Sequence, residues 1–319
     1  MTGVEAVALT PDVSILIVCY QSLDLIGDCL AGVFQHTSGC RFEVLLVDCS
    51  ADGTVQYVEQ NYPQVRVIPT SENLGFGAGN NFLAAAAQGK YLLLLNPDTI
   101  VTDNSIGELY RIAEARPDAG AVGGRCRLRD GSLDPGCRQS VPTLFRLTVS
   151  ALGGMKYLNG ALAETAREPG EVETLSGAFM LVRNDAWRQL HGFDTSFFMY
   201  SEELDLCVRL KQNGWKIVMT PKAEIIHLVG SGNSHSARRI TLLTTGRMHF
   251  LRKFWSRPRM WIGGMILWLH GVFRILLATC GSPIIGRERA RTLRDAYRGI
   301  VLHPGSWWHG FDQHWQARN

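Results

Sequence analysis

Glu202, Glu203 and Asp205 crowd the first turn of a stretch that reads as a helix. One carboxylate is enough to complement the dipole of a helix start. Three of them beside Phe197, Phe198 and Tyr200 suggest a general base facing a sugar, kept ionised by that dipole and ready to accept a proton. Asp98 follows the apolar run Tyr91–Leu95, and Asn96-Pro97 ends any strand ladder there because proline has no N–H to donate. A carboxylate delivered to the carboxyl end of a central strand sits where open α/β sheets bind ligands. It is a natural hard-oxygen ligand for Mg²⁺ or Mn²⁺ carrying a substrate diphosphate, although a lone Asp after a strand is usually a turn residue. Asp48 closes another apolar run and can accept the ring N–H of a pyrimidine base; the alternative is helix capping, which Asp52-Gly53 suits well. The segment Asn73-Leu-Gly75-Phe-Gly77-Ala-Gly79-Asn80-Asn81 is a glycine-rich helix entry. It can cradle phosphate or simply pack tightly on a sheet. It is not a dinucleotide fingerprint, since position 80 is Asn and the loop follows a third strand. His227, just before Gly230-Ser231, is placed like a metal or phosphate ligand, and its case depends on the other groups.

These groups need a scaffold that brings strand ends together. Val13–Cys19, Phe42–Val47, Val65–Ile68 and Tyr91–Leu95 read as strands, and Ser22–Gln35, Gly53–Asn61 and Gly75–Gln88 as helices. This alternation predicts a parallel, doubly wound α/β sheet. Right-handed crossovers then gather Cys19, Asp48 and Asp98 along one edge. Past Gly120 the pattern loosens, and 125–167 is expected to contain a mobile loop over the site. Thr174–Val182 is apolar again, Glu202–Asn213 reads as a helix stopped by Gly214, and Ile217–Thr220 and Glu224–His227 as two short strands.

A 46% hydrophobic content over 319 residues implies a globular core of one large domain plus an appendage, or two domains. Residues 1–235 and 236–319 are the expected units. Met1–Pro11 shows no signal-peptide pattern. The 8 cysteines lack paired CxxC spacing, against a zinc or redox motif. Cys126 and Cys137 could pair in an oxidising compartment, but reduced thiols are the expectation. Net charge is only +3, yet 13 Lys/Arg stand against two acids between Arg238 and Arg298. Such asymmetry suits phosphates or anionic lipid. Met260–Phe273 is nearly all apolar, and Arg274 interrupts it after 14 residues, too soon for a comfortable membrane span. An interfacial helix is the preferred reading, with a buried core helix or an oligomer contact as the alternative.

Val13–Tyr20, Val47-Asp48, Glu72–Asn80, Leu95–Asp98, Ser176–Arg183, Gly192–Arg209 and His227–Ser231, in that order, resemble the family-2 inverting glycosyltransferases, particularly their rhamnosyltransferase-like branch. The resemblance covers residues 13 to about 255 and implies a GT-A fold, a Rossmann-like and mostly parallel sheet, here with a helical basic C-terminal extension. It implies that Asp48 touches the base and Asp98 holds Mg²⁺ or Mn²⁺ with help from His227. Cys19, Tyr20, Gly75, Asn80 and Asn96 would join them around the donor. Glu203 falls at the catalytic base, with Glu202 the alternative; Gly177 and Ala178 would line the donor or acceptor pocket, with Tyr200 and Asp205 on the acceptor side. Three features depart from the family's usual pattern: Glu203 where Asp is common, Cys49 where Asn follows Val-Asp, and Cys19-Tyr20-Gln21 where asparagines are common.

The implied reaction is metal-dependent transfer of a sugar, rhamnose first, from a dTDP- or UDP-sugar to a polysaccharide or polyprenyl-diphosphate-linked acceptor. The enzyme would be cytoplasmic and peripheral on an anionic membrane surface, with no nucleic-acid partner. Two other readings remain: a sugar nucleotidyltransferase, which would want a glycine-rich basic loop that Ser14–Leu25 lacks, and a degenerate scaffold of the same fold.

Overall fold

The computed structural model describes residues 10–134, 140–153, 168–228, 236–281, 286–312 and 315. Strands β1 (Val13–Cys19), β2 (Phe42–Asp48), β3 (Arg66–Val67) and β4 (Tyr91–Leu95) lie parallel, in the order β3-β2-β1-β4. Helices α1 (Leu23–His36), α2 (Thr54–Asn61) and α3 (Gly75–Ala86) connect them. β1, β2 and β4 are buried on both faces over most of their length, which is why they read as apolar runs. Ile15, Ile17 and Leu93 point into one layer with Ile26, Leu30 and Val58 of α1 and α2. Leu16, Val47 and Leu94 point into the other with Leu83 of α3. The register pairs Cys19 with Asp48, so these two strand ends stand side by side as expected.

The next elements are β5 (Thr99–Val101), α4 (Ser105–Ala115) and β6 (Ala119–Arg127), followed by α5 (Leu144–Ala151) and β7 (Gly170–Glu171). After them come β8 (Phe179–Arg183), α6 (Asn184–Gln189), α7 (Glu202–Gln212) and β9 (Lys216–His227). Beyond β4 the sheet becomes mixed. β8 enters antiparallel beside β4, β6 lies antiparallel to β8, and β9 runs parallel to β6. β5 closes the edge antiparallel to β9. The two short strands expected at 217–227 are one strand. Its pairing shifts register between Gly123 and Arg125, opposite the stretch that contains Pro221. Proline cannot join a ladder, so the strand bulges there instead of ending.

Helices α8 (Ala237–Phe254), α9 (Arg257–Cys280) and α10 (Arg287–Leu302) form the C-terminal unit. They are not a separate appendage. Phe197 and Leu204 of α7 and its preceding loop are buried in the same core as Ile240, Met248, Leu267, Ile300 and Trp307. A second correction concerns α9. Arg274 does not break the helix, because its guanidinium turns along it and Nε donates to His270 Nε2 at 3.0 Å. The helix runs 24 residues, long and apolar enough by length and composition to cross a membrane. Met260, Gly264, Leu267, Gly271 and Ala278 bury one side of it. Trp261, Ile262, Met265, Leu269 and Leu276 stand exposed on the other.

Cys126 is disulfide-bonded, which corrects the expectation of a reduced thiol there; Cys137 lies outside the described residues. So do Gly230-Ser231 and, within the stretch expected to hold a loop over the site, residues 135–139 and 154–167.

Candidate active site

The site grows from the end of β4. Asp98 is held between β4 and β5, and the β5–β9 pairing sets Thr99 opposite His227. Leu228 N–H donates to the Asp98 carbonyl at 2.8 Å. The side chains therefore meet: His227 Nε2 lies 3.3 Å from Asp98 Oδ1. On the other side of the ring, Nδ1 is 2.7 Å from Asp134 Oδ2. Burial alone would lower the His227 pKa, but hydrogen bonds and charge from Asp134 and Asp98 outweigh it and raise it to about 9. The ring is thus clamped between two carboxylates that favour its charged form.

Asp98 and His227 fit a divalent cation. Two neighbouring ligands at about 2.1 Å from one ion stand about 3 Å apart, close to the separation seen here. Among the described residues no group of three or more His, Cys, Asp or Glu side chains could hold a metal. A metal at this pair would therefore need oxygens from a donor diphosphate and water, the usual way Mg²⁺-type sites are completed.

Gly177 and Ala178, expected at the donor or acceptor pocket, lead into β8. Its register sets Phe179 opposite Leu95, and Asn96 N–H donates to the Ala178 carbonyl at 3.2 Å. Gly177 precedes that contact and has Phe76 on one side and the Cβ of Glu203 on the other; a methyl at Gly177 would fall 2.8 Å from the Phe76 ring. Asn96, two residues before Asp98, thus meets Ala178, and Glu203 packs beside the neighbouring Gly177. The helix carrying Glu203 starts from a strained turn, with Tyr200 and Ser201 both left-handed at φ 68° and 73°. Such strain costs of order 1–3 kcal/mol per residue and persists where surrounding packing imposes it.

Glu202 and Glu203 differ in their surroundings. Glu202 is buried against Gly77 of α3, and its Oε2 has no hydrogen-bond partner. Burial, reinforced by the neighbouring Glu203 charge, pushes its pKa well above the carboxylate range. This burial disfavours a charge on Glu202, and Glu203, the less buried of the two, is the better candidate for the base.

Asp48 is nearly buried at the end of β2, and its Oδ1 accepts from Ser50 N–H at 3.1 Å and Ser50 Oγ–H at 2.8 Å. Burial raises its pKa against those two bonds. The capping role belongs to Asp52, whose oxygens accept from Thr54 N–H and Leu23 N–H and so tie the starts of α2 and α1 together. Cys19 is fully buried beside Asp48, and Tyr20 next to it is exposed.

Several expected positions are engaged elsewhere. Gly75 has φ +72°, and a side chain there would meet the Phe198 carbonyl, so the glycine-rich entry packs against the loop before α7. Asn80 is buried, with its amide donating to the Phe76 carbonyl and Oδ1 left without a partner. The aromatic residues do not form a wall around a sugar. Phe197 meets His249 edge to face, and Phe198 and Tyr200 pack with Leu242, Phe311 and Trp315. Asp205 does not line a pocket. It is fully buried, bonded to Arg209 at 2.6 Å and paired with Lys253 Nζ at 2.5 Å. Lys253 also reaches Asp194 at 2.5 Å, so one lysine of α8 fastens both ends of the loop that presents Glu203. Sequence reasoning missed Lys253 and Asp134. Asp134 stands in a stretch without periodicity, and nothing near Lys253 signals acids 48 residues upstream.

Residues 11–243 match the family described as glycosyltransferase-like family 2. An N-acetylglucosaminyl-diphospho-decaprenol L-rhamnosyltransferase of Mycobacterium tuberculosis is 39% identical over 202 residues, 58% of this chain and 66% of that protein. Rhamnosyltransferase WbbL of Escherichia coli is 30% identical over 168 residues, 50% of this chain and 62% of its own. The chain thus spans just under two thirds of the length of these curated relatives. A mannosyltransferase of Pyrobaculum calidifontis, solved with GDP-Man and Mn²⁺, superposes with a TM-score of 0.56 at 16% identity, covering 97% of this chain and 88% of that one. GalNAc-T7, solved with UDP, GalNAc and Mn²⁺, gives 0.55 at 14% identity over 78% and 51%. These two structures bear out the GT-A fold. A family match covering most of the chain, in the region that holds every residue of the site, makes this protein a member of glycosyltransferase family 2.

Proposed function

We propose that the protein is an inverting glycosyltransferase that moves a sugar, with rhamnose the first candidate, from a dTDP- or UDP-sugar to a polyprenyl-diphosphate-linked or polysaccharide acceptor. One observation carries the reading: Asp98 and His227 meet at 3.3 Å, and Asn96, just before Asp98, bonds Ala178 in the loop beside which Glu203 packs. These contacts bring the candidate cation pair and the candidate base into one neighbourhood. Asp98 and His227 would hold Mg²⁺ or Mn²⁺, which when bound offsets the charge of the departing diphosphate. Glu203 takes the proton from an acceptor hydroxyl as its oxygen attacks the anomeric carbon. The bond to the diphosphate oxygen breaks on the opposite face, and the nucleoside diphosphate leaves with the bonding pair. Asp48, at the next strand end, is the candidate contact for the base, with Cys19 and Tyr20 beside it.

The activities for which the two relatives are named favour rhamnose and, in the first, a lipid-linked acceptor. The exposed apolar side of α9 favours work at a membrane surface. Phe145 of α5, which packs on α9, and Leu152 just after it are exposed too, as are Arg252 near the end of α8 and Arg257 and Arg259 at the start of α9. Such a face, apolar with a basic rim, suits an interfacial helix on anionic lipid. The cytoplasmic side is the proposed location, a compartment in which a disulfide at Cys126 would be unusual.

The test is transfer from dTDP-rhamnose and a panel of UDP-sugars, with Mn²⁺, to a polyprenyl-diphosphate-linked N-acetylglucosamine. The expected product carries an anomeric centre inverted relative to the donor. Retention of configuration would overturn the mechanism. Neither transfer nor slow donor hydrolysis with any sugar would instead favour the scaffold reading.

A further inference from the structure

Asp134 has no role in the reading given so far, yet it makes the shortest contact in the cation-binding pair. A hairpin delivers it. After β6, Leu128 and Ser132 bond across a turn at Gly131, Arg127 bridges Leu133, and Asp134 N–H donates to the Cys126 carbonyl. β6 runs parallel to β9 with Arg127 opposite Ile226, so the hairpin sets Asp134 beside the next residue, His227. Its carboxylate is nearly buried, and Oδ2 lies 2.7 Å from His227 Nδ1. An ionised carboxylate only accepts, so Nδ1 carries the proton in this bond. The opposite ring nitrogen, Nε2, is the one turned toward Asp98.

We propose that Asp134 is a positioning residue for the cation site. It fixes the His227 ring plane and holds a proton on Nδ1, so that the lone pair of Nε2 faces the ion beside Asp98. Carboxylates behind metal-bound histidines act in this way, orienting the ring and raising its basicity, and their loss typically costs about 10–100-fold in metal affinity. The proposal rests on the metal-dependent reading above and adds to it a residue that touches neither donor nor acceptor.

The test uses the full chain with Mn²⁺ and dTDP. Electron paramagnetic resonance gives the Mn²⁺ affinity, and its pulsed form detects the coordinated imidazole nitrogen. In the wild type a ¹⁴N coupling is expected, lost in His227→Gln. Asp134→Ala should weaken Mn²⁺ binding about 10–100-fold and diminish that coupling. Asp134→Asn, whose carbonyl oxygen can still accept from Nδ1–H, should restore most of both. Unchanged affinity and coupling in Asp134→Ala would overturn the role of Asp134 and leave the metal-dependent reading standing. Absence of Mn²⁺ binding in the wild type would overturn both. Should Asp134→Ala fail to fold, ¹⁵N-histidine spectra of the Mg²⁺·dTDP wild type decide the matter. The expected His227 proton is on Nδ1; a proton on Nε2 overturns the proposal.

Discussion

Asp98 is fixed by strands, with β4 before it, β5 after it and β9 across from it, whereas Glu203 rides on a helix whose start is held by side chains from the C-terminal unit. The cation side is therefore built from backbone hydrogen bonds, which the sheet itself specifies. The base side is built from packing and ion pairs between segments distant in sequence: Lys253 to Asp194 and Asp205, Phe197 to His249, and Phe198 to Trp315. If these descriptions hold, damage on the two sides has different signatures. The strand side governs donor affinity, and the helix side governs turnover and stability.

The largest separation is expected from Glu203→Gln. The amide keeps the volume but cannot take the acceptor's proton, so turnover should fall roughly 10²–10⁴-fold. Donor affinity, measured by calorimetry with Mn²⁺ present, should stay within about twofold, because the strand side is untouched. Wild-type turnover in this variant would reject Glu203 as base and return attention to Glu202.

Asp98→Asn is the complementary break. It should weaken Mn²⁺-dependent dTDP binding by at least the roughly 10–100-fold that outer partners of metal ligands cost. The melting temperature should barely move, since the backbone of Asp98 keeps its bond from Leu228. Unchanged nucleotide affinity with the cation present would count against Asp98 as a ligand.

The same contrast decides what could be read in advance. β1, β2 and β4 are buried on both faces, so their sequences are apolar runs of the right length, and the ends carrying Cys19, Asp48 and Asp98 follow from them. β6 is just as central but escapes notice. Its Gly120, Gly123 and Gly124 stand where the side chains of Trp215, Leu175 and Phe179 fill the space, so the strand looks like a loop. With β6 hidden, the pairing that brings Asp134 to His227 has no trace in the sequence. The aromatic residues before Glu202 were visible as a cluster, but composition could not tell a sugar from the C-terminal helices as their partner. α9 was undercounted because a charged residue looks like an end; the bond from Arg274 to His270 shows how a helix carries one onward.

Lys253→Met tests the helix side without touching the chemistry. It leaves Asp194 and the fully buried Asp205 short of a cation, although Arg209 still pairs with Asp205. Removing one partner of a fully buried pair costs about 3–5 kcal/mol, and the partial exposure of Lys253 and the remaining arginine bring the expected loss to about 2 kcal/mol. Turnover should fall several-fold as the loop before Glu202 loosens, with Mn²⁺·dTDP affinity unchanged. A parallel loss of donor affinity would show that the two sides are coupled more tightly than the hydrogen-bond pattern suggests.

The smallest effect on the chemistry is expected from Met265→Glu with Leu269→Glu on the outer side of α9. Both side chains are exposed, so neither change removes core packing, and the fold should melt within a few degrees of the wild type. A soluble helix ordinarily turns charged residues outward, and here the outward positions from Trp261 to Leu276 are apolar over about 22 Å of helix at 1.5 Å per residue. A second copy of the chain is a poorer cover than lipid. In a two-fold contact with the α9 helices parallel, each copy's Arg252, Arg257 and Arg259 would face the other's, and like charges across an interface are costly. Sedimentation with vesicles containing anionic lipid should therefore drop sharply in the double variant. Transfer to a short water-soluble acceptor should stay within about twofold, and transfer to an acceptor embedded in those vesicles should fall with binding. Vesicle binding equal to the wild type would remove the membrane from the account. A change from dimer to monomer in the variant would assign the face to a second copy instead.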